Sequence, residues 1–460
     1  KRWPNDYNLI RLGVMKTKGA KEINSSSLSV GMECLDRRMY SPERTYDRLA
    51  ALGAKWARVQ TGWSRCETER GQYDFAWLDE IVDAVRAAGV QPWFNVGYGN
   101  RLYTPEAPDV SAVGWAPIWG DEPRQAWVRF VTALAGHFRG RVQHWEIWNE
   151  PNVDPFWQPA KSSPADYMNL VKLTAPAIRA SIPDAVLIGG ALAERPTEFL
   201  AACLEQGLAD EVHKISYHWY ALIPEKEYAR TVANWRAMLA RSNPSVTLWQ
   251  GESGCPSSQG GRGALAQYAW NEARQAKWLL RRTLLDLNLG LELISYFHMV
   301  DLVRYSWAKR TVEKDKAPRT RTNLRADFGL LRGDDYSPKP SYHALQRLCS
   351  LFDAETKPAD PAASFAGAEL PAPAEAITQA CFVRGPHPLY TYWRPEDVQK
   401  DVAVRAVNVT VNVKGDFTLL QPVLVDLLAG DIYRLQGEKR AGQWTFATLP
   451  LADYPMLITD

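Results

Sequence analysis

Residues 142–152 read VQHWEIWNEPN, and this stretch decides the fold prediction. Its first seven residues, Val142–Trp148, are rich in β-branched and aromatic side chains, which is typical of a buried β-strand. Asn149, Glu150 and Pro151 follow at once, and Asn and Pro are residues that end a strand in a turn. The pattern therefore places a carboxylate directly beyond the end of a strand.

Strands of the same kind recur from residue 28 onward. Short β-branched or aromatic runs alternate with stretches whose apolar residues return every three to four positions, which indicates repeated strand–helix units. The eight predicted strands are Leu28–Cys34, Lys55–Val59, Val90–Val96, Val142–Trp148, Ala185–Gly189, Val212–Tyr217, Val246–Gln250 and Leu291–Phe297. Eight parallel strands with helical crossovers close most simply into an α/β fold, the (β/α)8 TIM barrel, which we predict over residues 28–351. An open doubly wound sheet is the alternative, but no GxGxxG follows the first strand.

The pattern changes after Phe352. Residues 357–376, KPADPAASFAGAELPAPAEA, are rich in Pro and Ala and indicate a linker or an irregular wrap. Beyond them the apolar residues alternate with a period of two, and Gly, Asp and Pro turns separate the runs. This predicts a C-terminal antiparallel β-sandwich over residues 352–460, and residues 1–27 are candidates to add a strand to it.

Composition limits the classes of function. The chain has 460 residues with 54 Lys and Arg against 52 Asp and Glu, so a net charge of +2 gives no broad field to attract nucleic acid or an anionic membrane. No apolar run reaches the roughly 20 residues that span a bilayer. The six cysteines show no CxxC pair and are interpreted as mostly free thiols. Secretion or export to a periplasm, with the signal segment absent from this sequence, is one expectation; a cytoplasmic location and the oligomeric state stay open.

Two glutamates stand at matching positions, beyond predicted strand ends. Glu150 follows the fourth strand, and Glu252 follows the seventh in TLWQGESG, residues 247–254. The loops after barrel strands converge on one face, so both carboxylates can meet there. Cleavage of a glycosidic bond needs a carboxylic acid to protonate the leaving oxygen and a carboxylate to meet the charge at the anomeric carbon. The alternative is that each glutamate caps the helix that follows it.

The motif Trp148-Asn149-Glu150-Pro151 resembles the acid/base motif of a large clan of retaining (β/α)8 glycosidases. Members of that clan carry W-N-E-P after strand four and a Glu after strand seven, and the resemblance covers residues 28–351. It implies a retaining glycoside hydrolase with Glu150 as general acid/base and Glu252 as nucleophile. Within the clan the chain is most similar to the β-xylosidase and α-L-iduronidase family and its exopolysaccharide-degrading relatives. The sequence QGESG around Glu252 departs from the more usual T-E-x-G.

The resemblance also implies roles for residues around the pair. Asn149 would bond to the sugar 2-hydroxyl, Tyr220 would steady the nucleophile, and Arg58 would keep the nucleophile's pKa low. His218 would line the sugar site. The structural alternatives are a turn amide for Asn149, a satisfied core histidine for His218 and a buried ion-pair partner for Arg58. Further candidates to hydrogen-bond sugar hydroxyls at the barrel mouth are Glu33, His298 and Asp301. Candidates to stack on the sugar, each with core or loop packing as its alternative, are Trp63, Trp93 and Trp307.

No residue pattern indicates a cofactor. HExxH and clustered Cys/His ligand spacings do not occur in the sequence, so we predict neither a metal site nor any other cofactor. The predicted partner is an oligosaccharide, a polysaccharide or a small glycoside. Two other functions stay open: a transglycosylase that uses the same carboxylates, and a carbohydrate-binding protein without activity. The sugar, the linkage and the choice between chain ends and chain interiors depend on loops that sequence patterns do not define.

Overall fold

The computed structural model describes residue 7 and residues 9–303, 325–360, 363–367, 377–412 and 417–460. A short strand, β1 (Ile10–Val14), comes first. Eight parallel strands then close into a barrel in sequence order. They are β2 (Leu28–Met32), β3 (Trp56–Gln60), β4 (Gln91–Val96), β5 (His144–Ile147), β6 (Val186–Ala193), β7 (Lys214–His218), β8 (Thr247–Ser253) and β9 (Ile294–Tyr296). The closed barrel confirms the predicted fold class, and each of the eight predicted strands overlaps one of these.

Helices surround the barrel. They are α1 (Tyr46–Leu52), α2 (Trp63–Cys66), α3 (Ala76–Ala87), α4 (Asp121–Phe138), α5 (Pro164–Ser181), α6 (Thr197–Glu205), α7 (Leu208–Glu211), α8 (Tyr228–Ser242), α9 (Glu272–Asn288) and α10 (Pro340–Leu351). In α3, Leu78, Val82 and Val85 are buried because their spacing puts them on one face of the helix. In α5, Pro164 follows the N-cap Ser163, whose hydroxyl accepts a backbone hydrogen bond from the first turn. None of the described helices is both long and apolar enough to cross a bilayer.

The remaining strands form two antiparallel sheets. They are β10 (Thr356–Ala359), β11 (Ala363–Ala366), β12 (Thr378–Arg384), β13 (His387–Trp393), β14 (Arg405–Asn412), β15 (Val423–Asp426), β16 (Asp431–Arg434), β17 (Glu438–Arg440), β18 (Gln443–Leu451) and β19 (Met456–Thr459). One sheet has the order β1-β16-β15-β19-β13-β12-β10 and the other β11-β14-β18-β17. Alternate residues of β14, Val407, Val409 and Val411, are buried, as expected of a sheet with one face on a core. The two sheets confirm the predicted C-terminal sandwich, and β1 pairs antiparallel with β16.

Side chains of the sandwich and of α9 hold the loop that follows β7. Trp393 on β13 donates through Nε1 to Glu225 Oε1 at 2.7 Å. Arg281 on α9 bonds to both oxygens of the same carboxylate, at 2.7 and 2.6 Å. Glu225 lies between β7 and α8, in the loop that also carries Tyr220. The sandwich therefore supports one wall of the barrel mouth.

Candidate active site

A cavity of about 430 Å³ opens at the carboxyl ends of the barrel strands. Its wall contains both predicted carboxylates, Glu150 and Glu252, together with Asn149, His218 and Tyr220. His218 ends β7 and Glu252 lies near the end of β8, while the other three follow their strands within a few residues. Parallel strands deliver their carboxyl ends to one face of a barrel, which explains why positions far apart in sequence meet here.

Glu252 is held by two hydrogen-bond donors. The Tyr220 hydroxyl donates to Glu252 Oε1 at 2.6 Å, and Arg58 Nη1 donates to Glu252 Oε2 at 2.7 Å. Each oxygen of the carboxylate therefore accepts a bond that stabilises its ionised form. The preceding residue, Gly251, has no room for a side chain, because a Cβ there would lie 2.0 Å from Ser216 Oγ. A larger residue at position 251 would require either Ser216 or β8, which carries Glu252, to shift.

The loop after β5 holds Glu150 in an uncommon backbone conformation. Trp148 has a φ of 71° and Glu150 a φ of 49°, both in the left-handed region. Each such non-glycine residue costs about 1–3 kcal/mol and persists only where its surroundings impose it. The Glu150 N–H donates to Ala191 O at 2.8 Å, and the Asn95 side chain donates to Trp148 O at 2.5 Å. These bonds fix the loop, so the Glu150 carboxyl lies in the cavity wall.

The two carboxylates lie close enough to act on one glycosidic bond. One oxygen of Glu150, one oxygen of Glu252 and a ring nitrogen of His218 all lie within 4.8 Å of one another. In retaining glycosidases the two carboxyl groups are roughly 5–5.5 Å apart, whereas inverting enzymes need roughly 6.5–9.5 Å to admit a water molecule between them. The spacing in this cavity fits the retaining arrangement.

Burial and mutual repulsion favour a single proton on the pair. Burial, followed by the negative charge of Glu252, raises the pKa of Glu150 well above its ordinary value. Burial also raises the pKa of Glu252, but the charge of Arg58 and the hydrogen bond from Tyr220 oppose that rise. Neither of these two donors bonds to Glu150. The unequal hydrogen bonding therefore favours the proton on Glu150 and the negative charge on Glu252.

His218 is the polar neighbour of Glu150. Its Nδ1 lies 3.0 Å from Glu150 Oε1 and 3.7 Å from Glu252 Oε2. Burial, and then the nearby Arg58 charge, lower the pKa of His218 well below its ordinary value, so the imidazole is neutral. A neutral ring does not draw the proton away from Glu150 as a cation would. His218 therefore orients the Glu150 carboxyl without ionising it.

Arg58 is the centre of the charge network beneath the cavity. Its guanidinium donates to Glu146 Oε2 at 2.5 and 2.9 Å and to Asn149 Oδ1 at 2.9 Å, besides its bond to Glu252. Its contact with Glu33 is longer, at 3.3 Å. One cation thus faces three buried carboxyl groups. Burial, which outweighs the opposing Arg58 charge, raises the pKa of Glu33 to about 8, so Glu33 carries a proton at neutral pH.

The structure corrects two predicted aromatic contacts, because both rings lie in the core. Trp63 stacks on Tyr103 with ring centroids 5.2 Å apart, and its Nε1 donates to Glu67 at 2.6 Å. Trp93 packs inside the barrel with Trp249, Ile188 and Leu293. Neither ring lines the cavity. Inward-facing positions of a barrel strand are filled by large apolar side chains, and this packing explains the burial of Trp93.

Two further predicted residues also lie outside the described cavity wall. Asp301 accepts from Lys339 Nζ at 2.6 Å and from the Gly329 N–H at 2.8 Å, so it braces the loop after β9. His298 is fully buried, and its ring meets the ring of Phe297 at a centroid distance of 4.4 Å. Both predictions of a direct sugar contact are wrong, because each side chain contacts other residues of the protein and neither lines the cavity. Trp307 lies outside the described residues, so its role stays a prediction.

Several site residues escaped sequence analysis. Glu146 is fully buried, and its Oε2 accepts from both Arg58 and Asn95. A glutamate among apolar residues of a barrel strand was the available signal, because such a carboxylate requires a buried cation. The other unpredicted residues of the cavity wall that bear polar groups include Arg37, Gln60, Tyr98, Glu194 and Arg262. They lie at strand ends and in loops, where spacing carries no signal.

Within the described part of the chain, one group has the ligand types and closeness that could hold a metal ion. It consists of Glu150, His218 and Glu252. Arg58 and Tyr220 already donate to Glu252, so an ion bound there would compete with both donors. The same three side chains fit a proton-sharing carboxyl pair with a neutral histidine beside it.

Known proteins share parts of this sequence and fold. Residues 56–243, which include Arg58, Glu150 and Tyr220 but end before Glu252, match the profile of the family Glycosyl hydrolases family 39. A curated β-xylosidase of Geobacillus stearothermophilus is 28% identical over 160 residues. That match covers 32% of this chain and 31% of the relative, so it spans about a third of the relative's length.

Solved structures with little sequence identity resemble the whole chain. A family 39 glycoside hydrolase from the gut symbiont Bacteroides cellulosilyticus WH2 is 19% identical, with 97% of this chain and 82% of that chain covered and a TM-score of 0.68. A monomeric β-xylosidase from Caulobacter crescentus CB15 is 18% identical, with 97% of both chains covered and a TM-score of 0.62. At these identities the likeness concerns the fold.

Proposed function

We propose that this chain, whose residues 56–243 match the profile of Glycosyl hydrolases family 39, cleaves O-glycosidic bonds with retention of configuration. The observation that carries the proposal is the pair Glu150 and Glu252, with oxygens within 4.8 Å and unequal hydrogen bonding. Residues 28–351 would form the catalytic unit, and residues 352–460 an accessory sandwich joined by a strand from residues 1–27.

The first step forms a covalent intermediate. A Glu252 oxygen attacks the anomeric carbon and forms a C–O bond while the bond to the leaving oxygen breaks. The Glu150 proton passes to that leaving oxygen, which departs as a neutral alcohol. Arg58 and Tyr220 keep Glu252 ionised before the attack, so the nucleophile is available at neutral pH.

The second step reverses the roles at Glu150. Once Glu252 is an ester it carries no negative charge, so one cause of the raised pKa of Glu150 is removed. The Glu150 carboxylate then takes a proton from a water molecule, whose oxygen bonds to the anomeric carbon as the ester bond to Glu252 breaks. Two inversions at the same carbon give net retention.

Asn149 and Glu33 supply contacts to the sugar in this scheme. Asn149 Oδ1 accepts from Arg58 Nη2, which turns the amide nitrogen away from the arginine and leaves its N–H groups to donate to a sugar hydroxyl. Glu33 Oε2 is buried and has no hydrogen-bond partner among the described residues. A protonated Glu33 can donate to one hydroxyl and accept from another. The matched relative is a β-xylosidase, so β-xylosides are the first substrate class that we propose.

Chemical rescue tests the two roles separately. We expect Glu252→Ala to lose turnover of 4-nitrophenyl glycosides and to regain it with sodium azide, giving a glycosyl azide of inverted configuration. Glu150→Gln should lose turnover of substrates with poor leaving groups, because the proton donor is gone. Glu198→Ala, an exposed change on α6 outside the cavity wall, is the control and should behave as the wild type in both assays.

The opposite result would contradict the proposed roles of the two carboxylates. A Glu252→Ala variant that azide does not rescue, together with a fully active Glu150→Gln, contradicts the assignment of roles. Products analysed with an excess of sugar acceptor distinguish hydrolysis from transfer, because the two reactions share the first step.

A further inference from the structure

A group of buried polar side chains lies behind the catalytic residues that β7 delivers to the cavity. Its members are Tyr217 on β7, Tyr228 on α8, and Arg282 and Asp286 on α9, and we call it the tyrosine–arginine network. Each of the four is at most 2% exposed, and all of them lie outside the described cavity wall. The two-step reaction uses none of these groups directly, so their burial requires another explanation.

Hydrogen bonds join the four side chains into one unit. Arg282 Nε donates to both oxygens of Asp286, at 3.2 and 3.0 Å, and Arg282 Nη2 donates to the Tyr228 hydroxyl oxygen at 2.8 Å. The Tyr228 hydroxyl in turn donates to Asp286 Oδ1. The Tyr217 hydroxyl lies 2.6 Å from that of Tyr228, and Tyr217 is the donor because the Tyr228 proton already bonds to Asp286. A buried network whose donors and acceptors are paired in this way is rigid.

The tyrosine–arginine network holds the chain on both sides of His218. Tyr217 comes directly before His218 on β7. Trp219 comes directly after it, and the Trp219 carbonyl oxygen accepts from Arg282 Nη1 at 2.8 Å. Ser253 Oγ, at the end of β8, donates to the same carbonyl oxygen at 3.0 Å. The residue that carries the imidazole is therefore fixed through both of its neighbours.

The Trp219 carbonyl also belongs to the peptide group that leads into Tyr220. A peptide group is planar, so the bond from Arg282 fixes the plane from which Tyr220 extends. The Tyr220 hydroxyl donates to the nucleophile Glu252, and the His218 ring contacts the general acid. One guanidinium thus acts, through two consecutive residues, on both catalytic carboxylates.

We infer that Arg282 is a positioning residue for the reaction, and that the tyrosine–arginine network holds His218 and Tyr220 against the two catalytic carboxylates. The inference rests on the proposed glycosidase function. A misplacement of about 1 Å can lower a rate about a hundredfold, so rigid support of these two side chains matters although it touches no substrate. Stability alone does not require a buried ion pair, because well-packed apolar side chains of the same volume often stabilise a core as much or more.

Arg282→Lys tests the inference directly. Lysine keeps the positive charge of the network but lacks the planar fork that reaches Trp219 O. We expect kcat/KM for a 4-nitrophenyl glycoside to fall about tenfold, which is less than the full effect of a 1 Å misplacement. The acid limb of the profile of kcat/KM against pH should move to higher pH, because a displaced Tyr220 hydroxyl stabilises the charge on Glu252 less.

A double variant separates positioning from a general loss of structure. In the Tyr220→Phe background the hydroxyl that Arg282 positions is already absent. The Arg282→Lys change should then lower kcat/KM by no more than about threefold, instead of about tenfold in the wild-type background. A merely structural defect would lower kcat/KM by the same factor in both backgrounds.

A second variant covers the case in which Arg282→Lys does not fold. Tyr228→Phe deletes one hydroxyl of the tyrosine–arginine network and keeps the ring, so it leaves the buried ion pair intact. It should lower kcat/KM in the same direction but by less, and this loss should also shrink in the Tyr220→Phe background. Thermal unfolding followed by circular dichroism establishes that each variant is folded before its kinetics are measured.

Arg332→Lys is the matched control. Arg332 also bonds to both oxygens of a carboxylate on α9, that of Glu272, at 2.8 and 2.6 Å. It also donates to a backbone carbonyl, that of Pro338, at 3.0 Å. These three residues lie outside the described cavity wall. The control should keep the kcat/KM and the pH profile of the wild type.

Two results would overturn the inference. One is a folded Arg282→Lys that keeps the kcat/KM and the pH profile of the wild type. The other is a loss in Arg282→Lys that is equally large with and without the Tyr220 hydroxyl. Tyr228→Phe is judged by the same two criteria where Arg282→Lys does not fold. If the wild type cleaves no glycoside and Glu252→Ala yields no glycosyl azide, the proposed function itself has failed, and the inference with it.

Discussion

The Tyr220 hydroxyl is one of the two groups that keep the nucleophile ionised, and Tyr220→Phe removes it without changing the size of the ring. The lost bond is the 2.6 Å contact with Glu252 Oε1. A hydrogen bond to a charged group contributes about 1.5–3 kcal/mol. Without it the ionised form of Glu252 is less stable, and the pKa of Glu252 rises. We therefore expect the acid side of the profile of kcat/KM against pH to move to higher pH.

The size of the effect follows from the same free energy. On the acid side of the profile, kcat/KM for an aryl glycoside should fall by about ten- to a hundredfold. On the plateau the loss should be smaller, because Arg58 Nη1 still donates to Glu252 Oε2 at 2.7 Å. The assay is the pH dependence of kcat/KM for wild type and variant, measured at one ionic strength.

Tyr103→Phe is the matched control. The Tyr103 hydroxyl donates to Glu67 Oε1 at 2.5 Å, so the control removes the same kind of bond from a carboxylate outside the cavity wall. It should leave the acid side of the profile in place. An acid limb that stays where it is in Tyr220→Phe, or that moves to lower pH, would refute the view that Tyr220 stabilises the charge on Glu252.

Two more predictions concern the charges around the site. Burial raises the pKa of Glu33 from 4.5 to about 8, so the folded protein holds the Glu33 proton more tightly than the unfolded chain does. The stability that this proton contributes is therefore complete below pH 4.5 and is lost as the pH rises towards 8. The free energy of unfolding of Glu33→Gln should therefore rise relative to that of the wild type between pH 4.5 and pH 8, by up to about 5 kcal/mol. Chemical denaturation of both proteins at several pH values measures this difference. A difference that stays constant with pH would contradict the prediction. Turnover should survive dialysis against EDTA, since Arg58 provides the cation that neutralises Glu252; a loss that added metal restores would show that an ion takes part.

Local sequence patterns were sufficient to predict the barrel. Each strand carries its own run of β-branched or aromatic residues, and such a run needs no knowledge of its partners. The motif around Glu150 stood out for the same reason, because a strand, a turn and a carboxylate are adjacent in the chain. Tyr220 and Arg58 were predicted through the resemblance to a known clan, and the structure places both against Glu252.

Sequence patterns did not predict correctly which side chains line the cavity. The four wrong predictions are Trp63, Trp93, His298 and Asp301. A tryptophan near a strand end can face the ligand, the neighbouring helices or the barrel interior, and a one-residue difference in register reverses the choice. Asp301 was predicted to bond to sugar hydroxyls, but its Oδ1 forms an ion pair with Lys339 Nζ at 2.6 Å. Lys339 is far along the chain, so no spacing rule connects the two.

By itself the sequence determined the order of strands and helices, the presence of a C-terminal sandwich, and the two glutamates at the carboxyl ends of barrel strands four and seven. All of these depend on neighbours in the chain. The resemblance assigned the proton to Glu150, but only the tertiary structure supplied the physical reason for that choice. That choice depends on burial and on charges that β2, β3, β5 and β8 bring together around Arg58, and electrostatic free energy follows distance in space and the surrounding dielectric rather than separation along the chain.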